Sequence, residues 1–383
     1  MAFCQVKIWP FVYNFTQILY NIITANSQCL IMKPIIVSGL QPTGNLHVGN
    51  YLGAVKNWVA LQNSGKYEMY IFVADMHSLT GKLKPQQLRE QTQTAVAELL
   101  AAGIDPKKTT LFVQSHVPEH AELAWIFNCV TPVAELERMT QYKDKVAQFK
   151  QNNAGLFTYP VLQAADILIY KGALVPVGQD QIQHVELTRD IARWFNNKYE
   201  EYFPETQPLL THIPKVMSLL EPAKKMSKSL GAGHVIELAD EPKIITDKIK
   251  RAVTASVGGK EAPGVTNLLM LLKEFGKTEV YDKFAKAEKN KTIRYGELKT
   301  ELAEVVGEYF SDFRKKRQEL LAHPDKLEKI IVAGADRARG VAEKTIGNVR
   351  RMVGIRWNDQ FSIHNFQSIT NKPISKRHAI DNW

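Results

Sequence analysis

Cysteine is scarce in this chain: 383 residues hold three, Cys4, Cys29 and Cys129. So few, and so scattered, exclude a disulfide framework and any Cys-x-x-Cys zinc or iron–sulfur site. Cys129 lies in an apolar helical run and is expected to be a small core residue. Long apolar runs are missing too. The best of them, Ile8 to Ile23, is interrupted by Asn14, Gln17 and Asn21, which excludes a membrane span there. It also lacks a small-residue cleavage site, so a signal peptide is disfavoured. No Gly-x-Gly-x-x-Gly occurs, and no Walker lysine follows the glycines near residue 44, so neither the dinucleotide fingerprint nor the P-loop applies. Negative charge is the scarcer sign. The chain has 39 Asp and Glu against 49 Lys and Arg, a net +10.

What remains is a globular composition. At 45% hydrophobic and 23% charged residues, the chain can bury sizeable cores. The composition reads as cytosolic. Residues 241–356 carry 25 Lys and Arg against 17 Asp and Glu, so eight of the ten surplus charges lie there. A phosphate backbone is the partner such an excess suits; a solvated helical surface is the plainer alternative. Residues 1–31 hold one charged side chain, Lys7, and read as an extension before a start at Met32. The stretch 357–383 is polar and aperiodic and is expected to be disordered.

Between these ends the pattern alternates. Ile35 to Val37, Tyr70 to Ala74 and Thr110 to Val113 read as short buried strands. Leu46 to Leu61, Pro85 to Ala102 and Glu119 to Val130 read as helices. Such alternation predicts an α/β fold, a Rossmann-type parallel sheet covered on both faces, over residues 32–235. Ligands bind such sheets at the carboxyl ends of the strands, where Ser38-Gly39 and Asp75-Met76-His77 fall. Residues 236–356 read as a C-terminal helical domain. One long helix is expected from Gly296 to His323, acidic at its start and basic at Arg314-Lys315-Lys316-Arg317, as the helix dipole favours. Pro324 ends it.

Two segments carry chemistry, with 174 residues between them: Pro42-Thr43-Gly44-Asn45-Leu46-His47-Val48-Gly49-Asn50 and Lys225-Met226-Ser227-Lys228-Ser229. The first turns a strand into a helix whose opening N–H groups attract phosphate. His47 and Asn50 can donate to it, and Gly49 leaves a bare face for a flat ring. The second places cations where pyrophosphate oxygens need them, Lys225 and Lys228, with the hydroxyls of Ser227 and Ser229 beside them. Taken singly, the first is equally well a Gly-rich turn, and the second a solvated basic loop. Asp166 lies in an apolar run from Val161 to Tyr170, where a carboxylate needs a partner. A ligand N–H and a salt bridge to a local Lys or Arg are both open. His116 and His120 are four apart with Glu119 between them. They read as a surface pair at a helix N-terminus, and no metal ligand set is assigned.

The two segments as a pair resemble the HIGH and KMSKS signatures of class I aminoacyl-tRNA synthetases, with Asn50 in place of the second histidine. The resemblance narrows to tryptophanyl-tRNA synthetases of the bacterial and mitochondrial type. It does so through Ser38 to Gly44, Gly49 to Ala54, Leu136 to Lys143, Tyr159-Pro160, Ala164 to Leu168 and Val175 to Gln181. It covers residues 32 to about 356. Thr43 stands where the family more often has serine.

The resemblance implies roles. Gln41, Pro42, Thr43, Gly49, Asn50, Gly178, Gln179, Asp180, Val216, Lys225, Met226, Ser227, Lys228 and Ser229 would contact ATP. Gln41, His47, Lys225 and Lys228 would act in catalysis. Asp166 would accept the indole N–H, Tyr159 and Gln181 would hold the ammonium, and His77 and Val175 would border the indole. Magnesium is expected as a companion of the ATP phosphates, not in a protein cage. The implied partners are tRNA, ATP, L-tryptophan and a second copy in a homodimer. A tyrosyl-tRNA synthetase, and a non-catalytic RNA-binding relative, are the alternatives.

Overall fold

The computed structural model describes residues 33–139, 153–178, 181–210, 215–254 and 263–355. The expectations for residues 1–31, for the 357–383 tail, and for Gln179 and Asp180 lie outside the described residues.

Five short strands form, the first four rich in β-branched or aromatic residues: β1 (Ile35–Leu40), β2 (Glu68–Val73), β3 (Thr110–Val113), β4 (Leu174–Val177) and β5 (Gln207–Leu210). All pairings are parallel, in the order β3-β2-β1-β4-β5. The chain winds outward from β1 to β3, then returns to start β4 on the other side of β1. The direction of winding reverses there, which opens a crevice at the carboxyl ends of β1 and β4. β1 runs to Leu40, so Ser38 and Gly39 are strand residues and the turn begins at Gln41.

Helices fill both faces. After β1 comes a continuous helical run over 48–64 (α1), which includes a five-residue π-helical turn, Tyr51–Val55. The others in the sheet region are α2 (Asp75–Ser78), α3 (Pro85–Ala101), α4 (Glu119–Asn128), α5 (Val133–Glu137), α6 (Ala154–Leu168) and α7 (Ile182–Lys198). The C-terminal part is helical: α8 (Pro242–Arg251), α9 (Pro263–Phe275), α10 (Thr278–Lys289), α11 (Tyr295–Tyr309), α12 (Ser311–Ala322) and α13 (Pro324–Val353). Alternation along the strands sends Ile36, Ile71, Val73, Leu111 and Val113 into one core, and Val37, Tyr70, Phe72 and Phe112 into another. The first core continues without a break into α8, α9, α11 and α12. The long α13 returns to pack on β3 and α4, and supplies Ala338 and Ile346 to the second core.

Three sequence expectations are corrected. The helix expected from Gly296 to His323 is two helices, broken at Phe310. Arg314 donates to the carbonyl of Gly307 across the break at 2.6 Å. The basic cluster therefore lies within α12 and not at a helix end, so the dipole argument does not account for it. Cys129 is exposed. It follows the last residue of α4, off the apolar stripe of Leu123, Ala124 and Phe127. His120 is fully buried while His116 is exposed, so they form no surface pair. Among the described residues no helix is long and apolar enough to cross a membrane.

Phe310 is buried at the break and packs its ring against Tyr51, Phe275, Tyr309 and Phe313. Truncating it opens a cavity between α1, α9 and α12. Phe310→Ala is expected to lower the free energy of urea unfolding by about 3–5 kcal/mol. A loss under about 1 kcal/mol would mean that the two helices do not depend on this junction.

Candidate active site

The two segments meet. Lys228 Nζ donates to the carbonyl of Thr43 at 3.0 Å and to that of Asn45 at 2.5 Å. The turn between β1 and α1 makes both carbonyls available by folding tightly: Thr43 N–H donates to Gln41 O at 2.9 Å, and Gly44 has φ +95°. Only glycine adopts that conformation cheaply. A Cβ there would also come within 3.2 Å of Lys228 Nζ. On the other side, Met226 N–H donates to Val216 O at 2.9 Å, and Met217 bridges Lys225 antiparallel. Ser227 Oγ and Ser229 Oγ lie 2.8 Å apart, opening the single 3₁₀ turn Lys228–Leu230. Pro42 is buried; Gln41 and Thr43 are exposed. Burial lowers the Lys228 pKa, and the charges of Glu237 and Glu98 oppose that shift.

His47 caps α1. Its ring Nδ1 accepts from Asn50 N–H at 3.3 Å, and Asn50 Oδ1 accepts from His47 N–H at 3.2 Å. The pair satisfies two helix-end donors reciprocally. Burial lowers the His47 pKa from 6.5 to about 4, and Lys228 and Lys225 push it the same way. At neutral pH the imidazole is uncharged. With Nδ1 accepting, its proton sits on Nε2, a neutral donor. Gly49 lies under this ring: a Cβ there would stand 2.9 Å from His47 ring atoms and 3.7 Å from Met226 Cβ. The bare face at Gly49 thus accommodates the histidine of its own turn. Asn50 uses its carbonyl within the cap, so its NH₂ is the end that can donate elsewhere.

The second half of the site surrounds Asp166, fully buried on α6. His120 Nδ1 is 2.6 Å and Gln114 Nε2 2.7 Å from Oδ1; His77 Nε2 is 2.8 Å from Oδ2. A carboxylate can only accept, so all three nitrogens donate. His120 Nε2 in turn lies 2.7 Å from the Tyr170 hydroxyl. Burial alone would raise the Asp166 pKa. Hydrogen bonds from His120 and His77 outweigh it and bring the pKa down to about 2. Among the described residues no Lys or Arg pairs with it; the partners are imidazoles and an amide. Three of roughly four acceptor positions on the carboxylate are filled. The fourth is on Oδ2, beside His77. His77 and Tyr159 line a cavity of about 330 Å³ with Met76, Thr80, Trp125 and Leu162. The Tyr159 hydroxyl is 2.9 Å from His184 Nε2, and burial pushes it up to about 12.

Val175 is buried in β4, and Gly178 follows that strand's end, where Gln181 N–H donates to its carbonyl at 3.0 Å. Gln181 caps α7. Val216 is buried in the core against Met226, behind the lysine loop. Sequence reasoning passed over Gln114 and His184, the role of His120, and a group behind the first turn: Asn45, Glu98, Glu237 and Arg317. Glu98 carried a signal. It is one charge in the apolar run Ala95 to Ala102, the same pattern that singled out Asp166.

A parallel sheet whose reversal point carries a glycine turn with a lysine loop seated on it is the arrangement of a class I aminoacyl-tRNA synthetase. The sequence matches the family described as tRNA synthetases class I (W and Y) over residues 32–311, and the chain belongs to that family. Within it, the similarity runs to tryptophan–tRNA ligases. That of Streptomyces avermitilis (ligase 2) is 46% identical over 332 residues, 84% of this chain and 97% of the relative. That of Clostridium tetani is 44% identical over 330 residues, 84% of this chain and 96% of the relative. The solved tryptophanyl-tRNA synthetase of Campylobacter jejuni, complexed with ADP and tryptophan, is 35% identical with a TM-score of 0.73. It covers 84% of this chain and 99% of its own.

The depressed His47 pKa makes a signed prediction. The unfolded chain takes up the proton first as pH falls. The contribution is therefore complete above about pH 6.5 and is lost between about 6.5 and 4. Between about pH 7.5 and about pH 4.5, the wild type should lose about 2 kcal/mol more unfolding free energy than His47→Gln. Equal losses in both proteins would show that the ring is not held neutral.

Proposed function

We propose that this chain is a tryptophan–tRNA ligase. The carboxylate of tryptophan attacks the α-phosphorus of ATP, the bond to the β-phosphate oxygen breaks, and tryptophanyl-adenylate and pyrophosphate result. The terminal ribose hydroxyl of the tRNA then takes the tryptophanyl group and AMP leaves. The observation that carries this reading is Lys228 seated on the carbonyls of Thr43 and Asn45. That contact supports the reading because it sets a cation beside the turn whose helix N–H groups would meet the triphosphate.

The substrate brings its own nucleophile, so the chain's contribution is positioning and charge stabilisation. Lys225 and Lys228 would follow charge onto the departing pyrophosphate, joined by Ser227 and Ser229. His47 would donate through Nε2 without adding a charge. Gln41, Pro42, Thr43, Asn50, Gly178, Gln179, Asp180 and Met226 would complete the nucleotide contacts, with Val216 behind the loop. Magnesium would arrive with ATP as part of the substrate. Asp166 would take the indole N–H at its remaining Oδ2 position, beside His77. Tyr159 and Gln181 would hold the ammonium, with Val175 beyond.

Residues 32–235 would form the catalytic unit, and 236–356 the unit that meets tRNA. Trp125, Leu79 and Val133 are 70%, 68% and 61% exposed, and the first two line the cavity beside His77. This apolar face supports a homodimer in which a second copy covers it. The cytoplasm is the proposed compartment.

Pyrophosphate exchange across all the amino acids tests the reading. Exchange with tryptophan alone is expected; exchange with tyrosine, or none at all, would overturn it. Lys228→Ala should lower kcat about 100–1,000-fold, as loss of one preorganised charge contact does, with the tryptophan Kd little changed. Asp166→Asn should instead raise the tryptophan KM, by about 100-fold or more, because the indole N–H then meets a misfitting amide in a buried site. If the two variants showed each other's defects, the roles of Lys228 and Asp166 would have to be exchanged.

A further inference from the structure

The turn that carries His47 is held from behind by residues remote in sequence. Leu46 N–H donates to Glu98 Oε2 at 2.5 Å. Glu98, on α3, has no exposed surface. Its other oxygen accepts from Arg317 Nε at 2.7 Å, and Arg317 stands on α12, 219 residues away. The same guanidinium reaches further: Nη2 donates to Asn45 Oδ1 at 3.0 Å. The amide end of Asn45 donates to Glu237 Oε2 at 2.8 Å. The backbone carbonyl of Asn45 is the one that holds Lys228 Nζ at 2.5 Å. One residue of the turn therefore touches α12, the segment after the lysine loop, and the lysine itself.

We infer that Arg317 and Asn45 are positioning residues for the adenylation step, fixing the turn so that its carbonyls present and release Lys228 in one geometry. The inference rests on the adenylation reading above. Neither residue touches the proposed substrates; both act through Lys228 and the His47 turn. A guanidinium suits the task because its planar fork serves two acceptors on different segments at once. An ammonium at the same place keeps the charge that Glu98 needs, but all its donors leave one nitrogen and cannot reproduce the separate Nε and Nη2 positions that meet Glu98 and Asn45. Removing all charge from position 317 would strand a buried carboxylate, so the informative change is Arg317→Lys.

A second pair joins the same regions and serves as comparison. Lys56 of α1 meets Glu274 of α9 at 2.8 Å, partly exposed and away from the turn. It ties α1 to the C-terminal helices without contacting residues 43–47.

The test compares Arg317→Lys, Asn45→Ala, their double variant and Lys56→Ala in the full chain, with two readouts. In tryptophan-dependent pyrophosphate exchange, Arg317→Lys and Asn45→Ala should each lower kcat by about 10–100-fold, the scale of a misplaced catalytic group. The tryptophan KM should stay within about twofold, and the double variant should be no slower than the worse single one. Lys56→Ala should leave kcat unchanged. In hydrogen–deuterium exchange, which needs no activity, peptides covering residues 43–50 and 225–230 should exchange about tenfold faster in the first three variants and not in Lys56→Ala. Wild-type exchange of those peptides in Arg317→Lys would overturn the inference. So would a kcat loss matched by Lys56→Ala, or additive losses in the double variant. If the wild type activates no tryptophan, the functional reading fails, and the peptide exchange still decides the role of Arg317.

Discussion

A lysine ammonium resting on two backbone carbonyls is the contact from which the rest of this site follows. Lys228 would otherwise face Lys225 and a buried imidazole with no anion between them. The carbonyl dipoles of Thr43 and Asn45 take the place of that anion, and Glu98 and Glu237 add charge of the right sign nearby. Such a seat is weaker than a triphosphate. An incoming anion gains the lysine by offering full charges in exchange for dipoles. The arrangement also accounts for the neutral histidine. A third cation beside two lysines would oppose folding, and burial together with those lysines holds His47 uncharged. A neutral Nε2–H keeps a donor in the site and adds nothing to the repulsion between the lysines.

Asp166 solves a related problem with opposite sign. A buried carboxylate needs donors, and an Arg or Lys partner would supply them. Such a cation would also cancel the charge and leave little reason for a weak ring N–H to bind there. Two imidazoles and an amide satisfy three acceptor positions and leave the net charge in place. On the proposed reading, a tryptophan would be told from a phenylalanine at the remaining position, because the analogue without the N–H would leave it unsatisfied. Discrimination of about 10⁴–10⁵ is within reach of such a hydrogen bond.

The strands and most helices were legible because period and length are local properties. Ile35 to Val37, Tyr70 to Val73 and Thr110 to Val113 all lie in parallel strands, Ala74 falling one residue past its strand, and the two signature segments do meet. The break at Phe310 was not legible. The apolar positions Tyr309 and Phe313 keep helical spacing across it, and only the aromatic cluster with Tyr51 and Phe275 gives Phe310 a reason to turn the chain. His120 was misread for a similar reason. Its sequence neighbours Pro118 and Glu119 suggest a surface, whereas its place is set by Asp166 and Tyr170, 46 and 50 residues away. The Arg314 to Arg317 cluster read as a helix end because the helix was drawn too long. Local patterns locate a residue on an element. Which way it faces depends on partners that no window contains.

The basic surplus of residues 241–356 illustrates the same limit in energetic terms. Several of those cations are committed to partners within the protein. Arg317 belongs to Glu98 and Asn45, and Lys248 lies 2.6 Å from Asp240. On α13, Arg350 forms a two-pronged pair with Glu122 at 2.6 and 2.5 Å, and Arg337 donates to Pro106 O at 3.1 Å. These hold α12 to α3 and α13 to β3 and α4. A cation committed to such a partner has no condensed counterion to displace from a nucleic acid, so it adds nothing to the salt dependence of binding. The exposed pair Lys315 and Lys316 on α12 remains available, one residue from Arg317. A phosphate drawn to that surface would load the same helix that braces the His47 turn. The charge count therefore overstates what these residues offer a phosphate backbone.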